Sequence, residues 1–213
     1  MQMKKFQIHS VIMPLILVNV IFFALQFILG AHFTDSFLLA SEDIFSRPWI
    51  LVSYMFLHGN PTHLLFNMWA LFIFGPLLEQ RIGPKRFLLL YFGSGIIAGI
   101  LSSFFYSRAL GASGAIMGML GTLIILMPDL QILLFLIIPM PLWIAGIIFA
   151  LIDLLGVVYP SGVGNIAHLV GLGIGLLYGL YLKKENKKFH KKFSAKKHLD
   201  KEDINDYLKT GRI

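Results

Sequence analysis

Long apolar stretches separated by short polar segments dominate the first 182 residues of the chain. A helix that crosses the ~30 Å hydrocarbon core of a bilayer needs about 20 mostly apolar residues. The stretches therefore predict an all-α polytopic membrane protein, because helices satisfy their own backbone hydrogen bonds in lipid. The six predicted spans are residues 11–30, 63–80, 87–106, 113–127, 139–156 and 164–182. Together they form one predicted membrane domain, residues 1–182.

Two connecting segments are too apolar to be simple loops. Residues 31–62 carry several Phe and a Trp, which predicts a partly buried loop at the membrane interface. Residues 131–138 are apolar but too short to span, and Pro128 and Pro139 bound them. We expect this second segment to be an interfacial or re-entrant piece.

The fourth predicted span, residues 113–127, is too short for a normal bilayer. At ~1.5 Å per residue it reaches only about 22 Å. Its N-terminus should therefore begin below one membrane surface, with residues 107–112 as non-helical backbone at membrane depth. Such backbone is tolerated where protein shields it or where it lines a water-filled cavity. A short helix that opens into a wet pocket indicates a functional site.

Composition and charge support a membrane location. The chain is 57% hydrophobic with a mean hydropathy of +0.77, more apolar surface than a soluble domain of 213 residues could bury. Residues 183–213 carry 16 of the 29 charged side chains and predict a basic cytoplasmic tail. With the N-terminus also cytoplasmic, 16 of the 18 Lys and Arg residues lie on that side, as the positive-inside rule requires.

The same charge distribution bears on partners and location. The net charge of +7 lies mostly in the tail, next to an apolar span, which predicts contact with membrane lipid and no binding of nucleic acid. In a bacterium the membrane would be the plasma or inner membrane. The chain has no cysteine, so thiol catalysis and zinc–thiolate sites are excluded.

Ser113 lies in the sequence Gly111-Ala112-Ser113-Gly114, at the start of the short helix. Unpaired N–H groups and the positive end of the helix dipole at such a position can hold the oxyanion that forms when a serine attacks a carbonyl. The flanking glycines allow a sharp turn and close approach of a substrate strand. Taken alone, however, the motif favours a helix N-cap with glycines for packing.

His168 changes that balance, because it shares a helix face with Gly171 and Gly175. Gly114 and Gly118 form a similar small-residue face on the short helix, and two such faces pack closely in lipid. Their contact would bring the imidazole beside the serine hydroxyl, where it could act as a general base. The alternative is a histidine that makes a structural hydrogen bond within the bundle.

Other polar side chains lie in or near the spans. His63 and Asn67 are four positions apart on one face of the second span, which suits two neutral donors to an oxyanion or, alternatively, helix–helix hydrogen bonds. His58 and His63 lack the spacing and the third ligand of a metal site, so no metal or cofactor is expected. Glu79 and Asp153 lie near span ends, and the pattern assigns them no chemistry.

Four motifs occur in a fixed order: H-x4-H-x3-N, E-x-R-x-G, G-A-S-G and A-H-x2-G-x3-G. They comprise His58, His63 and Asn67; Glu79 to Gly83; Gly111 to Gly114; and Ala167 to Gly175. With them, the chain resembles the rhomboid family of intramembrane serine proteases over about residues 11–182. The fold implied is a six-helix rhomboid-like bundle with a short central fourth helix.

The resemblance also implies roles for individual residues. Ser113 and His168 would form a catalytic dyad without a carboxylate as third member. The oxyanion and substrate would be held by His63, Asn67, the Ser113 N–H and the neighbouring Gly111 and Gly114, with support from Asn165, Met117, Gly171 and Gly175. Expected substrates are single-span membrane proteins, cleaved within or near their transmembrane segment.

Two positions depart from the family pattern. Ile50 follows Trp49 where the family often has arginine, which puts arginine anchoring of the first long loop in doubt. Met117 occupies a position where many members place an aromatic residue against the catalytic histidine, although a thioether can also pack there. Neither departure removes a reacting group.

Two other functions compete with proteolysis. One is a rhomboid-like pseudoprotease that binds membrane proteins without cutting them, which the presence of both dyad residues disfavours. The other is a transporter or proton relay that uses His63 and His168. Against it, the sequence has no inverted repeat and no Lys or Arg within a span.

Overall fold

The computed structural model of the chain describes residues 10–134, 137–159 and 164–194. Its helices are α1 (Ile12–Phe37), α2 (Ile50–Ser53), α3 (Pro61–Ile82), α4 (Pro84–Ser102), α5 (Ser113–Leu126), α6 (Leu142–Val158) and α7 (Asn165–Ser194). Short 3-10 helices cover Ser41–Asp43 and Tyr54–Phe56. Four short strands form two antiparallel pairs, β1 (Leu39–Ala40) with β2 (Arg108–Ala109) and β3 (Gln131–Leu134) with β4 (Ile138–Pro141).

The helices fit an integral membrane protein, as the hydropathy pattern predicts. By length and composition α1, α3, α4 and the segment Asn165–Glu185 of α7 can each cross a membrane. Helices α5 and α6 are apolar but shorter, with 14 and 17 residues. The mainly helical fold is therefore confirmed, and the predicted number of six spans stays a prediction.

Several predicted boundaries differ from those observed, for local reasons. Helix α1 continues past residue 30 to Phe37, although Gly30 departs from helical geometry with a φ of 69°. Helix α4 begins at Pro84, because Gly83 ends α3 with a φ of 80° and proline fits a first helical turn. Residues 131–134 and 138–141 pair as β3 and β4, so the prediction of a purely α-helical chain misses these strands.

The charged ends of the chain are only partly described. Helix α7 continues beyond the predicted span end at 182 into the Lys-rich segment and reaches Ser194. The rest of the predicted tail, 195–213, lies outside the described residues, as do Lys4 and Lys5, which support the predicted orientation.

Helix α5 is the centre of the bundle and packs against α4 and α7. All residues from Gly114 to Leu123 are buried. A Cβ at Gly171 would lie 2.1 Å from the Gly114 carbonyl oxygen, and a Cβ at Gly175 would lie 2.0 Å from that of Gly118. Side chains at either position would force the helices apart, so the glycine faces bring α5 and α7 into backbone contact, as their spacing predicts.

Glu79 links α1 to α3. Its carboxylate accepts hydrogen bonds from the Ser10 hydroxyl at 2.6 Å and the Val11 N–H at 2.8 Å. It thereby pairs a backbone donor at the start of α1, where helix N–H groups have no intrahelical acceptor. The E-x-R-x-G motif thus has a structural role at the end of the bundle away from Ser113.

Arg47 anchors the loop between α1 and α3, although Ile50 replaces the arginine expected there. Its guanidinium donates to the Asp35 carbonyl oxygen at 2.8 Å and to the Asp43 carboxylate at 2.6 Å. Pairing of Leu39 with Ala109 joins the same loop to the segment that precedes α5. The non-helical backbone before Ser113 is therefore hydrogen-bonded to the loop between α1 and α3.

Candidate active site

Ser113 and His168 contact each other at one end of the bundle. The His168 Nε2 atom lies 2.7 Å from the Ser113 Oγ atom. Ser113 is the first residue of α5 and His168 lies in the first turn of α7, so the contact depends on the close approach of these two helices. The distance is within hydrogen-bonding range for a nucleophile and its base.

The second ring nitrogen of His168 contacts a carboxylate that the family resemblance does not imply. Its Nδ1 atom lies 2.9 Å from the Asp153 Oδ1 atom. An ionised carboxylate only accepts hydrogen bonds, which assigns the proton of the neutral imidazole to Nδ1. Nε2 then accepts the hydrogen bond donated by the Ser113 hydroxyl. Ser113, His168 and Asp153 thus form a row of three side chains in contact, and the dyad that the resemblance implies stays a prediction.

Ser113 does not occupy the N-cap position of its own helix, whereas Gly114 packs against Gly171, as the same interpretation of the motif expects. Ala112 is the N-cap residue of α5, and no side chain caps that end within the described parts of the chain. The first N–H groups of a helix have no acceptor within it. Helix α5 therefore begins with backbone donors beside the serine hydroxyl.

His63 is positioned by the residues just before it. The Asn60 Oδ1 atom caps α3 by accepting a hydrogen bond from the His63 N–H at 2.8 Å. The Gly59 N–H donates to the His63 Nδ1 atom at 3.4 Å, which assigns the ring proton to Nε2. The Nε2 edge of the ring lies next to Gly111, two residues before Ser113.

Gly111 lies between His63 and Ser113. Its φ of +122° is a conformation that L side chains rarely adopt. A Cβ here would lie 2.7 Å from His63 Cε1 and 2.9 Å from His63 Nε2, and 3.8 Å from Ser113 Oγ. Only glycine therefore lets the His63 ring lie this close to the serine.

Asn67 supplies a free donor one helical turn after His63. It is 6% exposed, and its Nδ2 atom has no hydrogen-bond partner among residues 10–134, 137–159 and 164–194. Burying an unsatisfied amide is costly, so a group that goes unpaired in the folded chain is well suited to pair with a bound molecule.

These side chains line a cavity of about 1320 Å³. Its walls come from the same end of α1, α3, α6 and α7 and from the segment before α5, including Thr34, Asn60, His63, Asn67, Tyr106, Gly111, Ser113, Gly114, Val157, Gly164 and His168. The short α5 thus opens into a cavity, as its length predicts. The space is large enough for an extended peptide segment and water.

His58 lies behind His63, with ring centroids 5.0 Å apart. Burial, followed by the nearby His63, lowers the pKa of His58 to about 4. Its imidazole is therefore neutral at neutral pH. Neither ring nitrogen has a hydrogen-bond partner within the described portions of the chain.

The predicted supporting residues lie close to this centre. Asn165 begins α7 and is buried, and a Cβ at Gly156 would lie 2.4 Å from its Nδ2 atom. Met117 is buried on α5, one turn after Ser113. Tyr106 was not predicted; its hydroxyl accepts a hydrogen bond from the Ile166 N–H at 3.3 Å at the start of α7.

Sequence reasoning also missed Asn60 and Asp153. Asn60 carries a readable signal, because asparagine before proline is a common helix start. Asp153 was noted as a polar residue near a span end, but its partner lies 15 positions away on another helix.

Comparison with known proteins agrees with the motifs. A sequence model of the Rhomboid domain matches residues 46–185, about two thirds of the chain. The chain is 34% identical over 165 residues to the yeast (Saccharomyces cerevisiae) "Rhomboid protein 1, mitochondrial", covering 72% of this chain and 47% of that protein. It is 29% identical over 141 residues to the "Rhomboid protease GlpG" of Haemophilus influenzae, covering 66% and 72%.

A shorter match covers the "Putative rhomboid protease YdcA" of Bacillus subtilis. It is 46% identical over 78 residues, which are 34% of this chain and 38% of that protein. The chain thus spans less than half the length of the yeast and Bacillus relatives.

Proposed function

Because the chain belongs to the rhomboid family, we propose that it is a serine-type intramembrane protease with Ser113 as nucleophile and His168 as general base. The observation that carries this proposal is the 2.7 Å contact between His168 Nε2 and Ser113 Oγ, made inside a cavity of about 1320 Å³. The Ser113 hydroxyl is not needed to cap its own helix, since Ala112 is the N-cap residue of α5.

The proposed reaction follows acyl-transfer chemistry. As the Ser113 Oγ atom forms a bond with a peptide carbonyl carbon, its proton moves to His168 Nε2. The imidazolium returns that proton to the departing amine, which leaves an ester between Ser113 and the substrate. Water from the cavity then attacks the ester, with the same nitrogen as base, and releases the new carboxyl end.

Four donors are suited to the oxyanion of this reaction. We assign the role to His63 Nε2–H, the Asn67 amide and the first N–H groups of α5 at Ser113 and Gly114. The assigned tautomer of His63 and the unpaired, buried Asn67 amide support this role. Gly111 leaves the space in which the oxyanion would lie, because any side chain there would collide with His63. Such preorganised donors stabilise charge that develops only in the transition state.

The proposed substrates are single-span membrane proteins cleaved within or near the membrane. The cavity is lined by the ends of membrane helices, so a peptide bond that reaches Ser113 must come from a segment in or close to the bilayer. Helix unwinding at small or helix-breaking residues would expose that bond, because backbone hydrogen bonds otherwise protect it.

We further propose a membrane domain of six spans, residues 1–182, followed by a basic tail at 183–213 on the cytoplasmic side. Helix α6 would reach ~26 Å and α5 ~21 Å at 1.5 Å per residue, so both could cross a locally thinned or protein-shielded region. The site would then face the side opposite to the two termini.

The direct test uses purified protein in proteoliposomes with a fluorescently labelled single-span substrate. We expect two fragments from the wild-type chain and none from Ser113→Ala. The Ser103→Ala variant is the matched control, because that hydroxyl lies at the end of α4 and donates a hydrogen bond to the Ile100 carbonyl oxygen of its own helix. Cleavage that persists in Ser113→Ala identifies another nucleophile, and binding without cleavage in the wild type identifies a pseudoprotease.

A further inference from the structure

Asp153 is a buried carboxylate on α6, an apolar helix in which most residues are half-buried or exposed. Only Leu142, Ala145, Gly146 and Asp153 are buried on α6. The neighbours Ile152 and Leu154 are 49% and 52% exposed, whereas Asp153 is 5% exposed. An ionisable side chain within an apolar helix is costly and persists where a specific partner or function requires it.

The partner of Asp153 is the outer nitrogen of the catalytic histidine. Asp153 Oδ1 lies 2.9 Å from His168 Nδ1, and His168 Nε2 lies 2.7 Å from Ser113 Oγ. The three side chains come from α6, α7 and α5 in turn. The carboxylate therefore contacts the base on the side away from the nucleophile.

A second contact fixes the register in which α6 meets α7. Gly156 lies one turn after Asp153, and Asn165 lies one turn before His168. A Cβ at Gly156 would come within 2.4–2.6 Å of three atoms of the Asn165 side chain, so α6 and α7 are in close contact here. Because residues three apart share a helix face, this contact aligns Asp153 with His168.

We propose that Asp153 is a positioning residue for His168, an inference that rests on the protease function proposed above. By accepting the Nδ1–H, the carboxylate selects the tautomer whose Nε2 lone pair faces the serine hydroxyl. It also stabilises the positive charge that the imidazole gains when the Ser113 proton moves to Nε2. Asp153 itself takes up no proton and forms no bond to substrate.

The other explanation is that Asp153 makes only a structural contact, a tie, between α6 and α7. The two roles predict different effects of Asp153→Asn, which preserves size but removes the charge. An amide can rotate and donate its N–H to Nδ1, and Nε2 would then carry the proton and could not accept that of serine. Loss of positioning therefore lowers kcat, whereas loss of a tie lowers the melting temperature and leaves the kcat of the folded protein unchanged.

The test measures kcat, KM and melting temperature for wild type, Asp153→Asn, Asp153→Glu and the control Asp129→Asn in proteoliposomes. Asp129 is exposed in the connection between α5 and the β3–β4 hairpin, distant in the fold from Ser113. We expect kcat of Asp153→Asn to fall about 10- to 100-fold with KM unchanged, the size of effect typical for a hydrogen bond to a charged group. Asp153→Glu keeps the carboxylate but shifts it by one methylene group relative to His168 Nδ1, so its kcat should lie above that of Asp153→Asn and below that of the wild type.

Each result decides between the two roles. Wild-type kcat in Asp153→Asn, or equal losses in Asp153→Asn and Asp153→Glu, would overturn the positioning role while the protease function stands. If Asp153→Asn does not fold, Asp153→Glu still discriminates, because a tie without catalytic influence leaves its kcat at the wild-type value. A wild-type protein that neither cleaves substrate nor reacts with a fluorophosphonate at Ser113 would overturn both proposals.

Discussion

Neutral donors surround the Ser113 hydroxyl. His63 and Asn67 of α3 line the same cavity as Ser113, and the first backbone N–H groups of α5 begin at the serine itself. The carboxylate of Asp153 contacts His168 Nδ1, on the side of the ring away from the serine. Fixed dipoles around the serine suit a reaction in which negative charge appears only briefly, because they need no reorganisation when it forms.

Asn67 gives the sharpest prediction at this scale. Asn67→Ala removes a buried donor that has no other hydrogen-bond partner among the described residues, so folding should lose little and the oxyanion should lose one hydrogen bond. We expect kcat to fall by about 10²–10³-fold, the usual effect of removing one oxyanion donor. Steady-state cleavage of a labelled single-span substrate measures it.

Asn19→Ala is the matched control for that experiment. Asn19 is also a fully buried asparagine, but on α1, where its amide donates to the Leu15 carbonyl oxygen at 2.8 Å. Its loss should change the melting temperature and leave kcat of the folded protein at the wild-type value. A wild-type kcat in Asn67→Ala would exclude this side chain from the oxyanion site.

At the scale of elements, the α5–α7 contact is the feature that brings serine and histidine together. It could be predicted because close helix packing in lipid leaves a readable pattern of small residues, here Gly114 and Gly118 facing Gly171 and Gly175. The short length of α5 could likewise be predicted from the sequence, because the apolar stretch at 113–127 is too short for a normal span. These two features were enough to predict a cavity at the start of α5.

Other elements could not be predicted, for identifiable reasons. Within the apolar run, residues 131–134 form β3 and residue 138 begins β4, and periodicity alone does not distinguish a short apolar strand from a helical or interfacial piece. The role of Asp153 depends on the register between α6 and α7, which the Gly156–Asn165 contact sets. Arg47 anchors the first long loop through Asp35 and Asp43, contacts that the identity of residue 50 does not reveal.

At the scale of the whole molecule, the cavity and the basic cluster of Arg81, Lys85 and Arg86 lie at opposite ends of the bundle. Ser113, His63 and His168 occupy the end formed by the starts of α3, α5 and α7. Arg81, Lys85 and Arg86 lie at the junction of α3 and α4, the other end. Under the positive-inside rule this basic cluster would face the cytoplasm, and the proposed site would then face the opposite side.

Cysteine accessibility tests this orientation without background, because the natural chain has no cysteine. Glu42→Cys and Asp129→Cys introduce one thiol each at exposed positions on the two predicted sides. In intact cells, a membrane-impermeant maleimide should label Glu42→Cys and spare Asp129→Cys, whereas permeabilised cells should show labelling of both. The reverse pattern in intact cells would invert the proposed topology.

The most direct test of the central claim, that His168 activates Ser113 as a nucleophile, is mass-spectrometric mapping of a fluorophosphonate adduct on the membrane-reconstituted protein. We expect the adduct on Ser113, with a labelling rate about 10²–10⁴-fold lower in His168→Ala, the usual contribution of a general base. An adduct on a different residue, or an unchanged labelling rate in His168→Ala, would contradict the account.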